Sequence, residues 1–466
     1  MRLITGWCRS IVVPSIGVLL CGSVLANSQK RKSSCPTPAP LNPVLNACFS
    51  SVPESGCIDS YFGSAGEVTF SDSAVGVQGA VRLQPPPASP AGGSPKIIVF
   101  NQTGSSVTVM RLNLDGSLDS TFGTNGVSSY QLEPSGTLIG VYDGLVDANR
   151  NMLVGGYAGS NLFVMRLLPD GAVDTSFGSN GVFMSAGSLS GSAKGQALAI
   201  QPDGRIIAVG AQWGRKGSST SSVIVRLTSN GAPDSTYGSG GFVSFTSGGV
   251  LTAAAIQTLG TTSYIITGGT NWLGRFTPSG VLDSSFGTGG QAIGPACGGS
   301  GAPRSIYVDG AGNIFVFGSS TAGTSSGPYL NLTKYTSAGV LDTKSFGDVS
   351  GTARTGSTFL NPFGGGSYPG WGSSLIPTTN STGGPQLVVT GYGQTPGIPS
   401  TAYAVVARYN LDGTLDTTFN GGVAARQFGS GSAWGMGSIA GPNGEIVPFI
   451  VWDNSGGYLA FTRYWP

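Results

Sequence analysis

One short pattern recurs seven times along the 466-residue chain and restricts the available folds more than any other feature. It reads Ile58-Asp59-Ser60-Tyr61-Phe62-Gly63, then Leu118-Asp119-Ser120-Thr121-Phe122-Gly123. Val173-Asp174-Thr175-Ser176-Phe177-Gly178, Pro233-Asp234-Ser235-Thr236-Tyr237-Gly238 and Leu282-Asp283-Ser284-Ser285-Phe286-Gly287 follow. Leu341-Asp342 repeats it with one extra residue before Phe346-Gly347, and Leu415-Asp416-Thr417-Thr418-Phe419 ends in Asn420 instead of Gly. The aspartates are 60, 55, 60, 49, 59 and 74 residues apart. A fixed period of this length marks supersecondary units that bury their apolar faces only against copies of themselves.

Each interval holds the same further parts. Two apolar segments flank a tight turn, most clearly Leu198-Ala199-Ile200-Gln201-Pro202-Asp203-Gly204-Arg205-Ile206-Ile207-Ala208-Val209-Gly210. Asp-Gly between β-branched runs is a hairpin signal, because glycine accepts a positive φ. A third alternating segment ends on a basic residue: Arg111, Arg166, Arg226, Arg275, Lys334, Arg408 and Arg463. A second turn, such as Asp115-Gly116, Asp170-Gly171 or Asp412-Gly413, leads into the aspartate pattern. Each unit therefore predicts four short strands. The 78 Gly, 28 Pro and 9% charged residues agree with many tight turns and exclude a long helical protein.

The two ends distinguish a ring from a solenoid. The aspartate pattern at Asp59 has no third strand before it, and the third strand at Arg463 has no aspartate pattern after it. A ring uses both halves, with residues 57–70 supplying the outer strand of the blade that ends at Tyr464. Closure removes sheet edges, whereas a solenoid needs capping units. The predicted fold is all-β: a seven-bladed β-propeller of four-stranded antiparallel blades, closed by the N-terminal strand. Leu-Asp-x-Ser-Phe-Gly with Asp-Gly-x-Ile-x-Val-x-Gly on this period resembles the delta-60 repeat family over about residues 57–466. That resemblance implies a propeller and an exported bacterial protein, and it carries no common activity.

Residues 1–26 read as a cleaved secretory signal: Arg2 and Arg9, an apolar stretch over 11–26 too short for a membrane span, and Val24-Leu25-Ala26. Residues 27–56 form a Pro/Ser-rich segment and 57–466 the propeller, secreted or periplasmic. Without the signal the chain has 21 basic and 21 acidic residues, which argues against nucleic acid as a partner. Cys35, Cys48, Cys57 and Cys297 suggest disulfides in an exported protein. Cys35–Cys48 and Cys48–Cys57 both remain open, while Cys57–Cys297 would span half the disc. No cofactor or metal is expected. There is no histidine and no CxxC, and Asn113, Asp115 and Asp119 lack the further acidic ligands of a calcium loop.

The repeated Asp, Arg and Phe serve what every blade needs, so they read as paired charges and inter-blade core. Catalysis has little support: only four glutamates exist, and Asp143, Asp348 and Asp453 form no paired motif. Specificity should come from residues that the blades do not share. Those are Trp213, Arg215 and Lys216 in one loop, and Arg354, Phe359, Phe363, Tyr368 and Trp371 in the insertion behind the 74-residue spacing. Both segments are expected on the face opposite the Asp-Gly turns, with the central channel near Arg82 and Arg304 as the other candidate. The reading is a monomeric, non-enzymatic binding module for a carbohydrate or protein ligand. The alternative is an extracellular carboxylate-dependent hydrolase or lyase acting on a polysaccharide; a close carboxylate pair in a central pocket would favour it, and an aromatic platform would favour binding.

Overall fold

The computed structural model describes residues 49–50 and 55–466, apart from 72–78, 89–92, 135, 190, 215–219, 247–248, 271, 294–301, 321–328, 351–352, 361–369, 381–382, 395–401, 428–431 and 454–457. Seven four-stranded antiparallel sheets form the propeller. Their inner strands are Ala80–Gln84, Ile139–Val146, Ser192–Ile200, Leu251–Leu259, Ala302–Val308, Gly370–Thr379 and Ser432–Ala440. Five blades are simple meanders from the inner to the outer edge; in the fifth blade, a small hairpin (Val349–Ser350 with Ala353–Arg354) precedes the outer strand Ser357–Leu360. This meander puts the first-to-second and third-to-fourth strand turns of a blade on one face, the turn face. The loops between second and third strands, and the links between blades, lie on the opposite link face.

The seventh blade takes its inner three strands from Ser432–Ala440, Ile446–Asp453 and Tyr458–Thr462, and its outer strand from Glu67–Ser71. Glu67 pairs with Thr462 and Ser71 with Tyr458, as ring closure predicts. The two ends also complete a turn. Gly56 N–H donates to Trp465 O at 3.0 Å, and Trp465 N–H donates to Cys57 O at 2.9 Å. Cys57 is buried at this joint. Cys35, Cys48 and Cys297, and hence the disulfide pairing, lie outside the described residues.

The repeated pattern builds one junction seven times. The third-strand cation meets the pattern aspartate at 2.7–3.0 Å in every blade, from Arg111–Asp119 to Arg463–Asp59. The aspartate's other oxygen accepts the backbone N–H two residues on, as Asp174 does from Ser176. The pattern aromatic is fully buried in all seven copies. Guanidinium groups lie over six of these rings at 4.5–5.3 Å, the geometry of a cation–π contact. The arginine then reaches the next blade: Arg111 Nη1 donates to Pro169 O and Arg275 Nη1 to Ser337 O, each in the neighbouring turn.

That turn needs its glycine for two reasons. Gly339 has φ +79°, and a Cβ there would sit 2.6 Å from the Phe286 ring of the preceding blade. The pattern glycine donates across the same seam, Gly287 N–H to Ala338 O at 2.8 Å, from φ +54°. Asn420 takes that place at φ +43° and donates to Ser55 O, since asparagine tolerates the left-handed region. Thus Ser55 and Gly56 act as the missing turn of the closing blade, and Arg408 Nη2 donates to Ser55 Oγ at 3.0 Å.

Candidate functional site

Inner strands set the geometry of the axis. Six of the seven carry a β-bulge at the same level, each leaving one extra residue. These extra residues are Tyr142, Gln196, Thr252, Arg304, Ser373 and Met436, flanked mostly by small residues. A bulge re-aims a side chain without breaking the sheet. Five of the six line a central cavity of about 860 Å³ that receives residues from all seven blades. Inner strands begin at the link face, so the bulges occupy the link-face half of the channel. Here the repeat is least repetitive: aromatic, amide, hydroxyl and guanidinium groups stand at equivalent positions.

Three charged residues among the described ones line the cavity: Arg82, Asp143 and Arg304. Arg82 Nη2 meets Asp143 Oδ1 at 2.6 Å. Asp143 also accepts Leu198 N–H on Oδ2 at 2.9 Å and Gly144 N–H on Oδ1 at 2.8 Å. It therefore ties the first three blades together. Burial pushes its carboxyl above the usual range, and the Arg82 charge and the two N–H donors only partly oppose that. Arg304 is exposed and makes no ion pair or hydrogen bond among the described residues.

An aromatic pair adjoins Arg304 on the next blade. Trp371 and Tyr392 stack at 4.9 Å between centroids with planes 21° apart, and both line the cavity. Burial raises the Tyr392 hydroxyl's pKa and the positive charge of Arg304 opposes the rise, so the two groups are within electrostatic reach. Hydroxyls complete this side: Ser305 Oγ donates to Leu375 O at 3.4 Å, and Ser438 Oγ donates to Ser374 Oγ at 3.3 Å.

The residues expected to carry binding fall into different places. Trp371 sits in an inner strand facing the axis rather than at a loop tip. Trp213 ends the second strand Ile206–Trp213 at the link face, with Lys194 Nζ 4.1 Å from the Tyr157 ring and 6.0 Å from its own. Arg215, Lys216, Phe363 and Tyr368 lie outside the described residues. Phe359 is buried in an outer strand. Arg354 corrects the expected placement, for it lies on the turn face. Its Nη1 donates to Gly347 O and Asp412 O, and its Nη2 meets Asp412 Oδ2, all at 3.0 Å. The cause is Lys334: a lone ammonium bonds Asp342 but lacks the fork that reaches the neighbouring turn, and Arg354 from the extra hairpin supplies that link.

Of the other acids, Asp348 accepts Thr358 Oγ1 at 3.0 Å and Phe359 N–H at 3.3 Å, away from the cavity. Asp453 lies in the strand Ile446–Asp453. Asp115 accepts the N–H and Oγ of Ser117, and Asp119 is taken by Arg111 and Lys96. Among the described residues no three His, Cys, Asp or Glu gather as a metal site, and no helix is long and apolar enough to cross a membrane. The bulge ring was not anticipated from the sequence. Its trace there is a variable residue, mostly between small ones, in six of the seven inner strands.

A family described as a domain of unknown function, DUF5122, β-propeller, matches residues 96–122, 148–177, 201–237 and 400–419, about a quarter of the chain. The match supports a β-propeller repeat family. No curated protein matches the sequence. Several solved structures are similar at low identity. Regucalcin from Agrobacterium tumefaciens, a calcium-binding protein, is 16% identical over 70% of this chain and 85% of its own, with a TM-score of 0.33. Drosophila semaphorin 2a is 9% identical over 90% and 77%, with a TM-score of 0.43. The Nup133 β-propeller domain of Vanderwaltozyma polyspora is 9% identical over 79% and 91%, with a TM-score of 0.41.

Proposed function

We propose that this protein is an exported, monomeric, non-enzymatic β-propeller of the delta-60 type that binds a carbohydrate in the link-face half of its central channel. The observation that carries the reading is the convergence of unrepeated side chains on one cavity. Every blade offers the same scaffold, so the residues that the bulges turn toward the axis are the ones free to define a ligand. The cavity has the size of a small-ligand site, and it joins a flat aromatic surface to several hydroxyls. A hydrolase or lyase working through two carboxylates needs a partner for Asp143. That residue is the sole acid among the described lining residues, and both its oxygens are bonded. The signal over residues 1–26 and a disulfide at Cys57 belong to the same proposal.

Gln196→Trp tests it. Gln196 is a bulge residue that lines the cavity with no hydrogen bond among the described residues, so a bulky ring there narrows the channel without removing core. A ligand found on a glycan array should bind the variant at least thirtyfold more weakly, a hot-spot loss of about 2 kcal/mol. Unchanged affinity in a folded variant would place the site elsewhere.

A further inference from the structure

Resting on that reading, we infer that the sugar bound in the channel is acidic, with its carboxylate on the Arg304 guanidinium and its ring on Trp371. The described lining residues include two guanidinium groups and one carboxylate. Arg82 and Asp143 satisfy each other at 2.6 Å, which leaves Arg304 as the uncompensated charge. Its position has a structural cause. The strand slips register between Pro303 and Ser305, and the residue left over is Arg304. The neighbouring inner strand slips between Gly372 and Ser374, beside Trp371. Two adjacent blades thus present a cation and an indole on one side of the cavity.

The seven junction cations show what a structural charge looks like in this protein. Each lies 2.7–3.0 Å from its aspartate. Arg304 has neither a carboxylate nor a carbonyl partner among the described residues. A guanidinium is a planar fork matched to a carboxylate, and the pair is strongest where water is partly excluded. Trp371 stacks on Tyr392 and is half-buried at the cavity wall, where its accessible edge and face offer apolar surface to a pyranose ring. The hydroxyls of Ser305, Ser373 and Ser374 line the same side and suit sugar hydroxyls. A neutral sugar would use the indole and leave the guanidinium idle. A small inorganic anion would use the guanidinium and leave the indole idle. A hexuronate residue within a short oligosaccharide engages both.

The test uses the full chain and matched probes. Oligogalacturonate, oligomannuronate and an oligosaccharide of the hyaluronan type are each compared with the carboxyl-reduced form, in which every uronate becomes a neutral hexose. Titration calorimetry at low and moderate salt measures the wild type, Arg304→Gln and Trp371→Ala. The wild type is expected to bind at least one acidic probe tenfold or more tightly than its reduced form, a preference that shrinks as salt rises. Arg304→Gln should abolish that preference, and Trp371→Ala should weaken both forms. Should Trp371→Ala fail to fold, Trp371→Phe keeps the ring and should retain most binding, while Arg304→Gln at its exposed position still decides the charge. Equal binding of acidic and reduced probes, weakened by Trp371→Ala, overturns the acidic ligand and keeps the carbohydrate site. A preference for acid that survives Arg304→Gln overturns the inference, as does failure to bind any probe. Gln196→Trp then judges the cavity itself, against whatever glycan the array returns.

Discussion

Arg275 and Arg304 sit in adjacent blades, in the third strand of the fourth and the inner strand of the fifth, and meet opposite surroundings. Arg275 is buried. It meets Asp283 at 2.7 Å, Gln257 Oε1 at 3.0 Å and Ser337 O at 2.9 Å, and it lies over Phe286. Arg304 is exposed on the channel wall and bonds nothing among the described residues. The first belongs to a seam that the chain repeats seven times, where any change of charge leaves a buried partner stranded. The second occupies a bulge whose residue type changes from blade to blade. Repetition marks the architecture here, and departure from repetition marks the surface on which the blades differ from one another.

The closing seam gives the sharpest way to break that contrast. Removing residues 27–71 deletes the outer strand of the seventh blade, the Ser55–Gly56 turn and Asp59. Arg463 then loses its carboxylate partner, and the strand Tyr458–Thr462 becomes a bare edge. Losing the outer strand, its turn and the Arg463 partner together should cost about 3–5 kcal/mol or more, and the open edge promotes association. Urea unfolding and light scattering measure both. A truncated protein that melts and sediments like the full chain would show that the ring does not depend on closure.

A single seam residue should have a smaller effect, and its channel counterpart almost none. Arg275→Ala strands Asp283 and Gln257, and about 3–5 kcal/mol of stability should be lost in urea unfolding. Arg304→Gln should change it by less than about 0.5 kcal/mol, as ordinary exposed substitutions do. Equal losses from the two would erase the distinction between scaffold and site.

Much of the scaffold was legible because each seam partner recurs at a fixed offset. Arg111 and Asp119 stand eight residues apart, as do Arg166 and Asp174, so the pairing is readable without coordinates. Closure followed from the half-units at Asp59 and Arg463. The site was harder to read. Aromatic residues drew attention to the 343–374 insertion, yet Trp371 begins an inner strand and Arg354 repairs a seam in which lysine replaces arginine. A one-residue register slip leaves no hydrophobic signature, since the apolar alternation on either side of Arg304 or Gln196 simply shifts phase. The candidate site lies at an irregularity within strands rather than in a loop.

Carboxyl groups provide the finest test, because the two regions titrate with opposite sign. In the seam, burial acts to raise Asp119, but hydrogen bonds from Thr121 and Lys96 and the charge of Arg111 prevail and hold it at about 2. Asp234 is likewise held at about 2. A carboxyl depressed in the folded state contributes stability that is present above its unfolded value, about 3.9, and is lost as the pH falls toward 2. Asp143 in the channel is raised instead, chiefly by burial. Its charged form is disfavoured by folding, so its contribution improves as the pH drops and the carboxyl takes up a proton. Asp143→Asn removes that dependence and leaves Arg82, about one-third exposed, to water. The variant should differ from the wild type by less than about 1 kcal/mol at pH 7, whereas Asp283→Asn should lose about 3 kcal/mol because Arg275 stays buried. Between pH 7 and pH 4 the wild type should gain on Asp143→Asn. Urea unfolding at four pH values reads the slope directly. A wild type that instead loses ground to Asp143→Asn on acidification would place Asp143 among the seam carboxylates and dissolve the electrostatic boundary between scaffold and channel.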